Sequence, residues 1–219
     1  TIDSSQTEVK HSIVGDPQGF AFNSTGTKVF IKNNGAGLRS YTLATPYELS
    51  GATADDSYTG TWNNELEPTG GAYSSHDIEF NNDGTKMYIF HNGGGSRDER
   101  VIQYTLSTPY DPSSRTSVDV FQLGNRTSEI PQDIEFDDDG TRMYIIESAT
   151  GVKTTEIDVY KLTTGFDVTT ASYVGSITNF FNAAGGNGTP LGLGFSSDGM
   201  KLYQVTYSNT SGQTALDIA

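Results

Sequence analysis

The chain has no cysteine, one tryptophan, three histidines and seven prolines. Without cysteine there are no disulfides and no thiolate metal sites, although a secreted protein can do without both. A three-histidine metal centre would need His11, His76 and His91 together, and their scatter argues against it. No run of about 18 apolar residues occurs, so no membrane-spanning helix is expected. Basic residues are scarce: 13 Lys and Arg stand against 27 Asp and Glu, for a formal net charge of −14. Such a surface repels phosphate backbones and anionic lipid, which removes nucleic acid and membrane insertion from the expected partners.

What is abundant is glycine and aromatic side chains: 25 Gly, 12 Tyr and 11 Phe in 219 residues. That composition suits an all-β protein with many tight turns and an aromatic core. No segment carries a helical period. Four copies of one pattern organise the chain: 18–30, 76–88, 132–144 and 191–203. Their turn glycines, Gly26, Gly84, Gly140 and Gly199, are spaced by 58, 56 and 59 residues. A fixed period of this size marks a repeat architecture.

Each copy reads as strand, turn, strand. Asp77–Phe80 alternates polar and apolar residues with period two, as a half-buried strand does. Asn82-Asp83-Gly84 is a turn signal, because Gly supplies positive φ and Asp bonds locally. A third strand follows a variable loop, at 38–43, 101–106 and 157–162. A second shared motif comes after it, at Thr45–Glu48, Thr108–Asp111 and Thr164–Asp167. A fourth strand is expected at 56–62, 117–123 and 171–177. Four antiparallel strands per repeat predict a β-propeller of four blades within one domain, 1–219. The blades fall roughly at 15–63, 74–123, 130–178, and 189–219 plus 1–14. The N-terminal strand, Glu8–Val14, would complete the last blade and remove an exposed sheet edge. The same ends would also arise if a longer tandem array were cut once.

The combination in Phe80–Tyr88 with Tyr104–Asp111, matched by Phe136–Tyr144, resembles propeller repeats of bacterial secreted or surface proteins and of marine phage tail or fibre proteins. The resemblance covers nearly the whole chain, with departures at Thr25 and Met200. It implies an extracellular, cell-surface or virion-associated recognition module and transfers no catalytic residue.

The first strand of each repeat runs beside the central channel of a propeller. There, repeats two and three carry Asp77, Glu79, Asp133 and Glu135, while repeats one and four carry Gly19, Ala21, Gly192 and Gly194 at the same positions. Four carboxylates on one side of a channel form a hard-ligand set, for which Ca²⁺ is the expected occupant. The competing expectation is that they bond backbone groups. Paired carboxylates also suit general acid–base cleavage of a glycoside. His76 and His91 flank the acids and are candidate ligand-binding residues at the rim. Trp62, beside a long loop, is a candidate for stacking on a sugar. Aspartate-rich turns such as Asp137–Gly140 lack the ligand spacing of a helix-loop-helix calcium motif, and the glycine runs lack a P-loop lysine.

The expected function is therefore a non-catalytic recognition or structural module that binds a glycan or a cell-surface protein through its loops. The alternatives are a lactonase- or glycosidase-like propeller hydrolase using the channel carboxylates, and a structural subunit assembled with others in a fibre or filament.

Overall fold

The computed structural model describes residues 17–33, 37–55, 74–92, 99–124, 129–149, 155–178, 188–196, 199–208 and 214–218. Four antiparallel sheets account for them. Sheet I comprises β1 (Pro17–Phe22), β2 (Lys28–Asn33), β3 (Gly37–Thr42) and β4 (Thr53–Ala54). Sheet II comprises β5 (Ser74–Phe80), β6 (Lys86–Asn92), β7 (Arg100–Leu106) and β8 (Arg115–Gln122). Sheet III follows with β9 (Glu129–Phe136), β10 (Arg142–Ala149), β11 (Thr155–Leu162) and β12 (Ala171–Thr178). Sheet IV has β13 (Gly188–Phe195), β14 (Leu202–Ser208) and β15 (Thr214–Ile218). Each sheet is a meander whose strands lie in chain order.

The expected third and fourth strands of repeats two and three fall within a residue or two of their observed limits. Repeat one differs. Its fourth strand is the two-residue β4, ahead of the expected 56–62, which lies outside the described residues along with the closing strand 8–14.

Side chains of the second shared motif explain why repeats one to three hold their shape. Gly26, Gly84 and Gly140 have φ of 67°, 70° and 68°, and Tyr47, Tyr110 and Phe166 are left-handed too, at 61°, 55° and 59°. Each aromatic N–H donates to the carbonyl of its turn glycine, at 2.8, 2.9 and 2.9 Å. Each ring then covers that glycine: a Cβ built on Gly84 would sit 2.3 Å from Tyr110 Cδ2. Only glycine fits beneath such a clamp, and the aromatic residues carry backbone strain to make it. Asp111 and Asp167 set up the next turn by accepting from the N–H groups of Ser113 and Thr169, at 3.0 and 3.1 Å.

The sheets pack in series, and their first strands adjoin: β1 lies against β5, β5 against β9, and β9 against β13. Between sheets I and II, Ala21, Phe30 and Leu38 meet Ile78, Phe80, Met87 and Ile89. Between II and III, Tyr88, Phe90 and Val101 meet Ile134, Phe136, Met143 and Ile145. Between III and IV, Tyr144, Ile146 and Ile157 meet Leu193, Phe195 and Leu202. Full burial of one such side chain stabilises by roughly 1.5–3 kcal/mol, so these three seams hold most of the core. Every sheet thus has a leading face, turned to the sheet before it, and a trailing face, turned to the sheet after it.

Candidate functional site

The first strands place the predicted acids. In all four, the pairing register slips by one residue just ahead of Gly19, Asp77, Asp133 and Gly192. The extra residues are Gln18, His76, Gln132 and Leu191. A bulge re-aims the side chains that follow it. Alternation then restarts, with Ile78 and Phe80 on the leading face and Asp77 and Glu79 on the trailing face, toward sheet III.

There the carboxylates meet backbone donors of the next sheet. The Ile134 N–H donates to Asp77 Oδ2 at 3.4 Å, the Leu193 N–H to Asp133 Oδ2, and the Phe195 N–H to Glu135 Oε1 at 3.4 Å. Asp77 and Asp133 also share a side-chain hydrogen bond across the seam. Two carboxyl groups can do so only with a proton between them. Asp77 carries it. Burial, followed by the charge of Asp133, pushes the Asp77 carboxyl well above its ordinary range. Burial also raises Asp133, less strongly, because bonds from Asp77, Leu193 and Ile134 favour its ionised form.

Glu79 and Glu135 form the second level of the seam. Burial, then the charge of Glu135, raises Glu79 well above the usual carboxylate range. Burial and the charge of Asp133 push Glu135 up to about 8. Both glutamates line a cavity of about 220 Å³ that also touches Asn82, Phe166, Phe195 and Ser196. Two proton-holding carboxyls beside a small polar cavity can exchange protons with solvent or accept a hydrogen-bonding ligand.

Sequence reasoning brought the right four acids together, along seams II–III and III–IV. The expectation of Ca²⁺ finds no support in their geometry. Among the described residues, no group of three or more His, Asp or Glu side chains is arranged to hold a metal ion. Carboxylate oxygens point at N–H donors and at each other, and retained protons reduce the charge that a cation would otherwise neutralise. His76 is the bulge residue of β5, and His91 lies in β6 opposite Ser75 and Arg100. Their side chains, together with Trp62 and His11, lie outside the described residues.

Three features escaped the sequence reading. One is the aromatic clamp, whose signal was an aromatic residue 21, 26 and 26 positions after Gly26, Gly84 and Gly140. Another is the repeated bulge. The third is Gln103, buried in β7, whose Oε1 accepts the Val168 N–H of sheet III at 3.0 Å.

Solved structures share this arrangement of sheets. Hydrazine synthase of Kuenenia stuttgartiensis matches with a TM-score of 0.50 and 17% identity, over 98% of this chain and 48% of that one. An endo-arabinase from Bacteroides thetaiotaomicron VPI-5482 matches with a TM-score of 0.53 and 14% identity, over 94% of this chain and 74% of that one. The fold is all-β and propeller-like. The chain spans about half the length of the hydrazine synthase chain, and at such identity the likeness extends to fold alone. No protein-family model and no curated protein matches the sequence. Among the described residues, no helix is long and apolar enough to cross a membrane.

Proposed function

We propose that the chain is a non-catalytic recognition or structural module of an extracellular, cell-surface or virion protein, with its four repeats serving as propeller blades. Its partner is a glycan or a surface protein, engaged through the connections between strands. The observation that carries this proposal is the use made of the channel acids. Asp77, Asp133 and Glu135 accept backbone N–H bonds from the following sheet, which is a structural task. The motif resemblance of Phe80–Tyr88 and Tyr104–Asp111 to surface and tail-fibre repeats points the same way. The proposed propeller is the four-bladed ring expected from the repeats, and the strand at 8–14 expected to close it lies outside the described residues.

A hydrolase is the second reading, favoured by one observation: Glu79 and Glu135 share a cavity, and Glu135 titrates near neutrality. One experiment separates the two. The purified chain is applied to a glycan array and incubated with aryl glycosides and lactones. Retention on one glycan class without turnover is the expected result. Turnover that Glu135→Gln abolishes at unchanged thermal stability would replace the recognition module with a hydrolase.

A further inference from the structure

The clamp of sheet III occupies a defined seat at seam II–III. Phe166 covers Gly140, lies 5.6 Å from the Phe136 ring and donates its N–H to the Gly140 carbonyl. Its own carbonyl accepts two hydrogen bonds from sheet II, from Lys86 Nζ at 2.8 Å and from the Tyr88 hydroxyl at 2.7 Å. The fixed parts of the seat are therefore a turn glycine, the phenylalanine ending the first strand, and two donors from the preceding sheet.

Seam III–IV has all of these parts. By repeat position Gly199 stands for Gly140, Phe195 for Phe136, Arg142 for Lys86 and Tyr144 for Tyr88. All four border one cavity of about 320 Å³, beside the turn at Asp138. Gly199 is exposed, whereas Gly26, Gly84 and Gly140 are buried under their clamps. Among the described residues, Phe195 has the Tyr144 ring at 5.0 Å and no clamp ring. Phe22, Phe80 and Phe136 each have one, at 5.3, 5.3 and 5.6 Å. The Tyr144 hydroxyl has no hydrogen-bond partner among the described residues, while that of Tyr88 is bonded. Such a cavity fits one peptide unit with a large apolar side chain, whose carbonyl would satisfy the half-buried hydroxyl.

The sequence contains a matching segment. Two clamps begin Tyr110-Asp111-Pro112-Ser113 and Phe166-Asp167-Val168-Thr169, and in both the aspartate accepts from the N–H and hydroxyl two residues on. The one other place where a large apolar residue precedes Asp-x-Ser/Thr is Ile2-Asp3-Ser4-Ser5. Spacing agrees with this match. In sheets II and III the fourth strand starts five residues after the clamp, at Arg115 and Ala171. Five residues after Ile2 is Thr7, beside the closing strand expected at 8–14. Pro17, where β1 starts, lies fifteen positions after Ile2. That is a reach of roughly 50 Å when extended, against about 14 Å across a four-stranded sheet.

We propose that Ile2 of the same chain fills the cavity as the fourth clamp, its N–H on the Gly199 carbonyl and its carbonyl on the Tyr144 hydroxyl. Ile2 lies outside the described residues, and its placement rests on the four-bladed ring proposed above. The segment from Ile2 to Ser5 would then pin the closing strand to sheet IV from its outer end.

Thermal unfolding of the full chain tests this. A β-branched residue resists the left-handed backbone of the other clamps, so Ile2→Phe should raise the unfolding temperature. Ile2→Asp should lower it by several degrees. Tyr144→Phe should lower it in the parent and much less in the Ile2→Asp chain, where the hydroxyl no longer has its carbonyl. Additive losses, or an unfolding temperature that neither Ile2 variant moves, overturn the proposal. Ile13→Asp keeps it distinct from the ring. By the same offset Ile13 stands at the position of Phe121 and Ile177, which pack against the cores of seams II–III and III–IV. If Ile13→Asp destabilises and the Ile2 variants do not, the seat fails alone; if none of them acts, the ring fails with it. Light scattering should give the single-chain mass of 23.6 kDa. Twice that mass, reduced to the monomer by Ile2→Asp, would put the segment of one copy into another and overturn the assignment to the same chain.

Discussion

Seams I–II and II–III are built on the same frame, yet only the second contains acids. Where sheet II presents Asp77 and Glu79 to its neighbour, sheet I presents Gly19 and Ala21. At seam I–II, Ala21 joins Phe30 and Leu38 in an apolar contact with sheet II. Packing of this kind is enough to join two sheets. At seam II–III a comparable apolar contact lies beside carboxyls that accept the Ile134 N–H and hold a proton between Asp77 and Asp133. Non-directional packing sets how closely the sheets approach, and directional hydrogen bonds add a register between their first strands. The addition has a drawback. Each acid leaves water, and burying charge is unfavourable unless a proton or a donor compensates.

The comparison is broken most severely by removing the apolar part of the acid seam. Tyr88 is fully buried, stacks on Phe136 and donates its hydroxyl hydrogen to the Phe166 carbonyl at 2.7 Å. Tyr88→Ala should cost about 3–5 kcal/mol in chemical denaturation, in the range of large-to-small core changes. Were the acids the main bond between sheets, its effect would fall below that of the acid substitutions.

Asp133 tests the polar part. Asp133→Ala leaves the Leu193 N–H and the Asp77 carboxyl without their partner and should cost about 1–3 kcal/mol. Asp133→Asn keeps an acceptor and removes a charge, so its unfolding curve should stay close to the parent. Equal losses in the two variants would mean that both carboxylate oxygens are needed as acceptors, which the Asn amide cannot supply.

Titration reads the same seam more gently. Carboxyls whose folded pKa is raised bind more protons in the folded state than in the unfolded one. Stability is then greatest below the unfolded carboxylate pKa and falls as pH rises toward the folded value. With Glu135 at about 8, the unfolding temperature should decline between roughly pH 4 and pH 8. Glu135→Gln should flatten that decline. An unfolding temperature that rises over this interval would contradict the protonated seam.

The smallest effect belongs to the glycine positions. Among the described residues, a Cβ on Gly192 would meet Asp133 Oδ2 alone, at 3.5 Å, which is ordinary contact. Gly192→Ala should change stability by less than about 1 kcal/mol. A larger loss would mean that the small residues of repeats one and four are steric requirements.

Much of this was legible because the repeat copies strand and turn chemistry. The Asp-Gly turns at Gly84 and Gly140, and the alternation in Asp77–Phe80, follow from local preferences that each residue carries itself. The gathering of Asp77, Glu79, Asp133 and Glu135 was legible too, since equivalent positions in successive repeats become neighbours. What the acids do there was not. Their partners are backbone N–H groups of Ile134, Leu193 and Phe195, and main-chain donors leave no mark in a sequence. Tyr47, Tyr110 and Phe166 were visible as a motif, but their role depends on left-handed backbone that aromatic residues seldom adopt. In repeat one the described pairing to β3 lies at Thr53 and Ala54, and the expected strand at 56–62 lies outside the described residues.

The clamp binds the evolutionary fates of two distant positions. Any side chain at Gly84 would overlap the Tyr110 ring, so a change at the turn is tolerable only alongside a smaller residue at 110. Effects of paired substitutions there will be strongly non-additive. Among the described residues, what a Cβ on Gly199 would meet within 4 Å is Asp138 Oδ2, at 3.8 Å. The φ of 66° at Gly199 by itself still favours glycine, so a change there is strained whatever lies above it.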